Sequence, residues 1–398
     1  MKLSDRANEV QASPIRKLMP YADAARKKGI NIYHLNIGQP DIETPQEMID
    51  VIRNYDEKVL AYGPSQGLLS YRKKLVEYYQ RQQLSVSEDE IIVTTAGSEA
   101  IIFALMATCN PSDEVIIPEP FYTNYNGFTT MSGVTIKPLT TYAHDGFQLP
   151  SNDEFEKLIS PKTKAIMLCN PGNPTGTVYS YKDLQRVADL ARKHDLFVIS
   201  DEVYREFVYD GCEHTSILHF PELSDRAIMV DSISKRYSAC GARIGCLISH
   251  NKEVMSAVLK FAQARLCPPT LEQLSATAAI DLKEDYFSRI IGEYDKRRCL
   301  VYDELQKIDD IICIKPKGAF YIIAKLPISD AEDFAIWLLQ NFQVNNETVM
   351  VAPAAGFYAT PGMGLDEIRI AYILNSDDLL KAMNILRLGL AEYRKMNT

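Results

Sequence analysis

Cysteine is sparse in this 398-residue chain, and the eight that occur, at positions 109, 169, 212, 240, 246, 267, 299 and 313, include no CxxC pair. Zinc knuckles and thioredoxin-type redox motifs are thereby excluded. Several thiols sit in apolar stretches, Cys169 closing AIMLC and Cys246 inside IGCLIS, where small buried hydrophobes belong. The six histidines show no HExxH or other metal-ligand spacing, so no metal site is expected. Positive charge is in deficit. Forty-three Lys and Arg against 52 Asp and Glu leave a net −9, without the basic footprint of a nucleic-acid binder. No stretch reaches the ~20 apolar residues of a membrane span, and the polar start MKLSDRANEVQASPIRK is not a signal peptide. The expectation is a cytoplasmic protein without nucleic-acid or membrane partners, with scattered thiols suited to a reducing compartment.

What the chain does contain is ordinary globular material, 46% hydrophobic and 24% charged, which rules out wholesale disorder. Its length predicts two domains at ~100–200 residues each. Short β-rich runs recur at 91–95, 114–117, 134–139, 165–169, 196–200, 227–231 and 244–249. Several are nearly continuous apolar runs, the mark of strands covered on both faces. Helical patterns lie between some of them. Ser180 opens one with Asp183 three residues on, a capping-box signature, and Leu184, Val187, Ala188 and Ala191 form its apolar face. This order argues for an α/β fold with a large domain built on a mostly parallel, seven-stranded sheet flanked by helices. After about residue 270 the texture changes. A long helix runs over 271–308 with an interruption near 283–285. Strands follow at 311–314 and 319–324, then a helix at 331–342 and a strand at 367–372. This predicts a smaller α+β domain. The first 40 residues hold an amphipathic helix at 15–28 and an extended stretch that would pack on it. The division expected is 41–280 for the large domain and 1–40 plus 281–398 for the small one.

In an open parallel sheet, ligands collect at the carboxyl ends of the strands. After the run 91–95 come Ala96, Gly97 and Ser98 and then a helix, small residues that let backbone N–H groups approach an anion. After 165–169 comes NPGNPTG (170–176), after 196–200 comes DEVY (201–204), and after 227–231 comes SISK with Arg243 following. Singly, each signal has a plainer explanation as a cap, a packing aromatic or a solvated surface group. Together they describe a pocket for a phosphorylated aromatic cofactor whose aldehyde is held by lysine. The cradle, Ser234 and Arg243 suit a phosphate. Asp201 suits a protonated pyridine nitrogen, Tyr204 and Asn173 a ring oxyanion, and Lys235 the imine.

Those motifs, NPGNPTG, DEVY and SISKRYSACGARIG (232–245) in that order, resemble the fold-type I pyridoxal-phosphate-dependent aminotransferases, class I of the aspartate aminotransferase superfamily. LNIGQPD (35–41), AYGPSQG (61–67), PEPFYTNY (118–125), KGAFY (317–321) and EIRIAY (367–372) are similar to further segments of that family, so the resemblance spans nearly the whole chain.

The resemblance implies roles. Lys235 would be the Schiff-base lysine that also moves the substrate proton, Asp201 the pyridinium partner, and Tyr204 with Asn173 the groups bonded to the phenolic oxygen. Ala96, Gly97, Ser98, Ser232, Ser234 and Arg243 match the phosphate cup, and Tyr122 the aromatic stacked on the ring. Tyr62 falls where the neighbouring subunit reaches the phosphate, which implies a homodimer. Arg369 matches the arginine that grips the substrate α-carboxylate, with the Gly38 backbone and Asn173 beside it. The implied activity is transamination between an L-amino acid and a 2-oxo acid, aspartate and 2-oxoglutarate first, by a ping-pong route.

Some readings stay open. An aromatic or broad-specificity transaminase and a carbon–sulfur β-lyase of the same fold would use the same lysine. A cofactor-sensing regulator would need a DNA-binding domain ahead of the fold, and only about 30 residues precede it. A nicotinamide dehydrogenase is disfavoured because no GxGxxG follows the first strand. Two departures stand out. The turn before Arg369 reads Pro353-Ala354-Ala355-Gly356-Phe357-Tyr358 rather than a PGxxFG-like sequence. No residue stands out for a distal carboxylate. Arg16 or an arginine of a partner subunit is the candidate, with Ser13 and Ile15 at the substrate mouth.

Overall fold

The computed structural model describes residues 1–396. A first strand, β1 (Asn31–His34), precedes the main sheet of β2 (Ile91–Thr95), β3 (Glu114–Glu119), β4 (Thr135–Thr140), β5 (Thr163–Cys169), β6 (Phe197–Asp201), β7 (Ala227–Ser232) and β8 (Ile244–Ile248). Four more follow: β9 (Tyr321–Lys325), β10 (Glu347–Met350), β11 (Ala352–Pro353) and β12 (Glu367–Ala371).

The seven strands lie in the order β2-β8-β7-β6-β5-β3-β4. β8 runs against both its neighbours and the others run together. The seven strands expected for this sheet are all present, and their apolar continuity has the expected cause. β7 and β8 are buried at every position, because helices cover both faces of the sheet. One face packs on the helices Ala96–Thr108 and Lys252–Arg265 through Ile92, Ile117, Met167, Ile199, Val230 and Leu247. The other packs on helices that include Leu69–Arg81 and Tyr181–Lys193.

The helix Tyr181–Lys193 starts where its capping box places it. Ser180 Oγ accepts from the Asp183 N–H at 3.2 Å, and the Asp183 carboxylate accepts from the Ser180 N–H at 3.1 Å. The long helical stretch is interrupted as expected, into Thr270–Ile280 and Glu284–Leu305.

Other elements differ from the sequence reading. The helix expected from residue 15 begins at Met19 with Pro20 in its first turn, and the residues before it form turns. The strand expected at 311–314 is a single bridge between Ile312 and Lys325, because the segment meets the open edge of β9 at one position only. β1 lies parallel to β10, and a helix over Ser376–Met396 closes the described chain, neither of which the local pattern singled out. A separate three-stranded antiparallel sheet has the order β11-β12-β9. Among the described residues, no helix is long and apolar enough to cross a membrane, and no group of three His, Cys, Asp or Glu is gathered to hold a metal ion.

Candidate active site

Because β8 is reversed, Arg243 at its start reaches the same sheet edge as the ends of β2, β3, β5, β6 and β7. A cavity of about 240 Å³ opens there, where β3 and β5 lead the chain to opposite sides of the sheet. It is lined by Gly38, Ala96, Gly97, Ser98, Tyr122, Asn173, Asp201, Tyr204, Ser232, Ser234, Lys235, Arg243 and Arg369. Of the residues the sequence singled out, Tyr62, 83% exposed, lies outside, as do the substrate-side candidates Ser13, Ile15 and Arg16.

One end of the cavity is built for an anion. The helix Ala96–Thr108 starts directly at the end of β2, and no side chain caps it. Ala96 and Arg243 both adopt left-handed backbone, φ +62° and +53°, and the Ala96 N–H donates to the Arg243 carbonyl at 3.0 Å. Non-glycine residues held this way concentrate at functional sites. Gly245 makes the arrangement possible. A Cβ there would lie 2.5 Å from the Ala96 carbonyl carbon and 2.6 Å from the Gly97 nitrogen, so only glycine lets β8 press against the helix start. The hydroxyls of Ser232 and Ser234 lie 2.9 Å apart, and the Ser234 N–H donates to Ser232 Oγ at 3.2 Å. Arg243 Nη1 donates to the Cys240 carbonyl at 2.8 Å.

In the middle, Lys235 Nζ donates to the Gly38 carbonyl at 2.9 Å and lies 3.7 Å from Cys240 Sγ. Asp201 closes β6 and is 6% exposed. Burial pushes its carboxyl up to about 6, although the Tyr125 hydroxyl at 2.7 Å and the Val203 N–H at 3.3 Å donate to it and pull the other way. A buried carboxylate in that condition is poised for a cationic partner. Burial also raises the Tyr204 phenol well above its ordinary value, and pushes Tyr122 to about 12. Both phenols therefore stay protonated at neutral pH.

The far end belongs to Arg369, central in β11-β12-β9 and 2% exposed. Its Nη1 donates to the Asn173 side-chain oxygen at 3.2 Å and its Nη2 to the Asn36 carbonyl. Its guanidinium lies near two rings, 4.7 Å from the centre of Tyr321 and 4.9 Å from that of Phe357. Its Nε has no partner. The altered turn thus still delivers Phe357 onto the arginine. That turn is anchored to the end of β3. The Phe121 N–H donates to the Phe357 carbonyl at 2.9 Å, and Glu119 accepts from the N–H groups of Ala359 and Thr360 at 2.7 and 3.1 Å.

Arg16 is exposed and does not line the cavity, whereas Ile15 packs beside Phe357 and Tyr358. The sequence reading gave no role in the site to six further lining residues, Ile37, Ile101, Cys169, Val203, Cys240 and Tyr321. All but Ile101 lie inside a segment it quoted, so the signal was present, but nothing local said that these side chains face the cavity.

The donor chemistry fits pyridoxal phosphate. Hydroxyls, a guanidinium and an uncapped helix start gather at one end for a phosphate. A buried, proton-hungry carboxylate suits the ring nitrogen, and an amine stands between them for the aldehyde.

Comparison with known proteins agrees. The family described as aminotransferase class I and II matches residues 30–386. An aromatic-amino-acid aminotransferase of Thermococcus litoralis is 32% identical, over 99% of this chain and 100% of its own length. An aspartate aminotransferase of Pyrococcus abyssi is 32% identical over the same shares. The solved structure of an alanine aminotransferase from Pyrococcus furiosus superposes with a TM-score of 0.90 at 32% identity, covering 98% of this chain and 100% of that one. Fold, donor set and relatives converge, and the chain belongs to the class I and II aminotransferases, transaminase enzymes that work with pyridoxal phosphate.

Proposed function

We propose that the enzyme exchanges an amino group between L-aspartate and 2-oxoglutarate, in two half-reactions at the one cavity, with ping-pong kinetics. The observation that carries the reading is the meeting of Lys235, Asp201 and Arg369 in that cavity, from three distant parts of the chain. Pyridoxal phosphate, when bound, supplies the electron-poor ring that accepts the electron pair freed at the substrate Cα.

The remaining work falls to the chain. Ala96, Gly97, Ser98, Ser232, Ser234 and Arg243 would hold the phosphate, and Tyr122 would stack on the ring. Asp201 would keep the ring nitrogen protonated, and Tyr204 with Asn173 would donate to the ring oxygen. Lys235 would hold the cofactor by its aldehyde and, once freed, take the proton from the substrate Cα. Arg369 would grip the substrate α-carboxylate with its planar fork beside Asn173 and the Gly38 backbone.

The body formed by 1–40 and 281–398 would close on 41–280 around the substrate. The exposed segment carrying Val59, Leu60 and Tyr62 would meet a second copy in a homodimer, Tyr62 reaching the partner's phosphate site. The eight free thiols suit a cytoplasmic setting.

Aspartate rests on relatives of that name. Ile37, Tyr122 and Tyr321 on the cavity wall favour aromatic or broad specificity as the second reading. A panel of amino donors and oxo acceptors on purified holoenzyme, read by cofactor absorbance, tests both. Turnover of aspartate with 2-oxoglutarate well above phenylalanine supports the first, and the reverse order the second.

A further inference from the structure

Tyr321 opens β9 inside the KGAFY segment and is 2% exposed. Its hydroxyl lies 2.8 Å from the Tyr204 hydroxyl, and the two rings meet edge to face at 82°. Its ring also carries the Arg369 guanidinium, 4.7 Å from its centre, within the ~6 Å reach of a cation–π contact. A Cβ at position 38 would fall 1.8 Å from the same hydroxyl. Gly38, whose carbonyl accepts from Lys235 Nζ, is therefore a glycine because of Tyr321.

Each phenol has one proton to give. Burial and the neighbouring Tyr321 hold the Tyr204 phenol well above its ordinary value, so Tyr204 keeps that proton. When Tyr204 donates into the cavity, its bond to Tyr321 must be one it accepts, and Tyr321 becomes the donor. Such a chain strengthens its terminal bond, because each donor polarises the next. On its other side, the Tyr321 ring, like Phe357, lies within cation–π reach of the guanidinium and restrains it.

We propose that Tyr321 is a positioning residue for both halves of the site, its hydroxyl strengthening Tyr204 as a donor to the cofactor's ring oxygen and its ring holding Arg369 for the substrate carboxylate. The inference rests on the roles given above to Tyr204 and Arg369. The two contacts are separable. Tyr321→Phe removes the hydroxyl and keeps the ring, whereas Tyr321→Leu removes both.

The test uses holoenzyme and two readouts: the midpoint of the pH titration of cofactor absorbance, and the apparent dissociation constants of L-aspartate and L-phenylalanine in single-turnover half-reactions. A bond donated to the ring oxygen favours the deprotonated form, which carries more negative charge there, so losing it moves the midpoint upward. Tyr321→Phe should raise the midpoint by about half a pH unit, roughly a threefold change in the proton constant, and leave both dissociation constants within about twofold. Tyr321→Leu should in addition raise both constants roughly tenfold, whatever the substrate side chain. A merely structural role would lower Tm and move neither readout. An unmoved midpoint in Tyr321→Phe overturns the proposal, as does Tyr321→Leu with unchanged constants. Tyr321→Phe, the conservative change, decides the first half even if the leucine variant does not fold. A wild-type titration abolished in Lys235→Ala would leave the aminotransferase reading standing, so a silent Tyr321→Phe would count against this inference alone.

Discussion

Arg369 Nη1 lies 3.2 Å from the Asn173 side-chain oxygen, a bond between residues 196 positions apart. It ties the antiparallel β11-β12-β9 sheet to the loop after β5, so the group proposed to grip substrate is fixed to the floor that carries the cofactor site. The fork is held by Asn173, Asn36, Tyr321 and Phe357 with Nε unpartnered.

Replacing this fork should weaken all substrates alike. An ammonium cannot present two parallel donors in a plane. Arg369→Lys is expected to lower kcat/KM at least tenfold for aspartate, alanine and phenylalanine together, with the cofactor spectrum nearly unchanged. A loss confined to aspartate would make Arg369 a side-chain specificity residue and move the carboxylate grip elsewhere.

Lys235 provides the covalent test. Purified enzyme should be yellow, and borohydride reduction followed by peptide mapping should place the cofactor on the peptide containing Lys235. Lys235→Ala should lose that linkage while retaining some bound cofactor. An unmodified Lys235 in reduced, cofactor-loaded protein refutes the assignment.

Asp201 links chemistry to stability. In cofactor-free protein its carboxyl titrates at about 6, against 3.8 for the ordinary group, because burial disfavours the charge. Between these values the folded chain keeps a proton that the unfolded chain has lost. Its contribution is therefore fully present below about pH 4 and is lost as pH rises to about 6, worth about 3 kcal/mol in total. Asp201→Asn should flatten that slope in urea unfolding of the apoprotein and make it more stable than wild type at pH 7. The same variant, loaded with cofactor, should slow Cα proton abstraction by orders of magnitude. An apoprotein less stable than wild type at pH 7, or near-normal single turnovers, would each contradict its part.

Gly245 tests the phosphate end. Alanine there would set a Cβ 2.5–2.7 Å from backbone atoms of Ala96, Gly97 and Asp231. Gly245→Ala should cost about 1–3 kcal/mol and weaken cofactor retention, measured by Tm and by absorbance after dialysis. Gly241→Ala, with nothing within 4 Å of the added carbon, is the control and should be near neutral. Equal behaviour of the two variants would remove the close approach of β8 as the reason for glycine.

Much of this molecule is legible locally. Nearly continuous apolar runs marked several strands of the main sheet, because a strand covered on both faces is hydrophobic along its length. Ser180 and Asp183 fixed a helix start through bonds spanning three residues. The polar residues after the strands announced a cofactor pocket, because a parallel sheet brings those ends to one edge.

What local pattern omits is which distant residues meet. The reversal of β8 brings Arg243 to the edge that Ser98 and Ser234 occupy, and only strand order decides that. Tyr321 stood in a quoted motif, yet its two partners, Tyr204 and Arg369, arrive from the segment after β6 and from β12, 117 and 48 residues away along the chain. The single bridge at Ile312 makes the same point from the other side. A strand-like segment becomes a strand only where the fold lays it along a neighbour's open edge, and 311–314 meets that of β9 at one position. Sequence sets hydrophobic period, caps and chemical inventory because these depend on neighbours along the chain. The unpartnered Nε of Arg369, the proton-hungry Asp201 and the paired phenols exist only where folding has removed water from groups far apart in sequence.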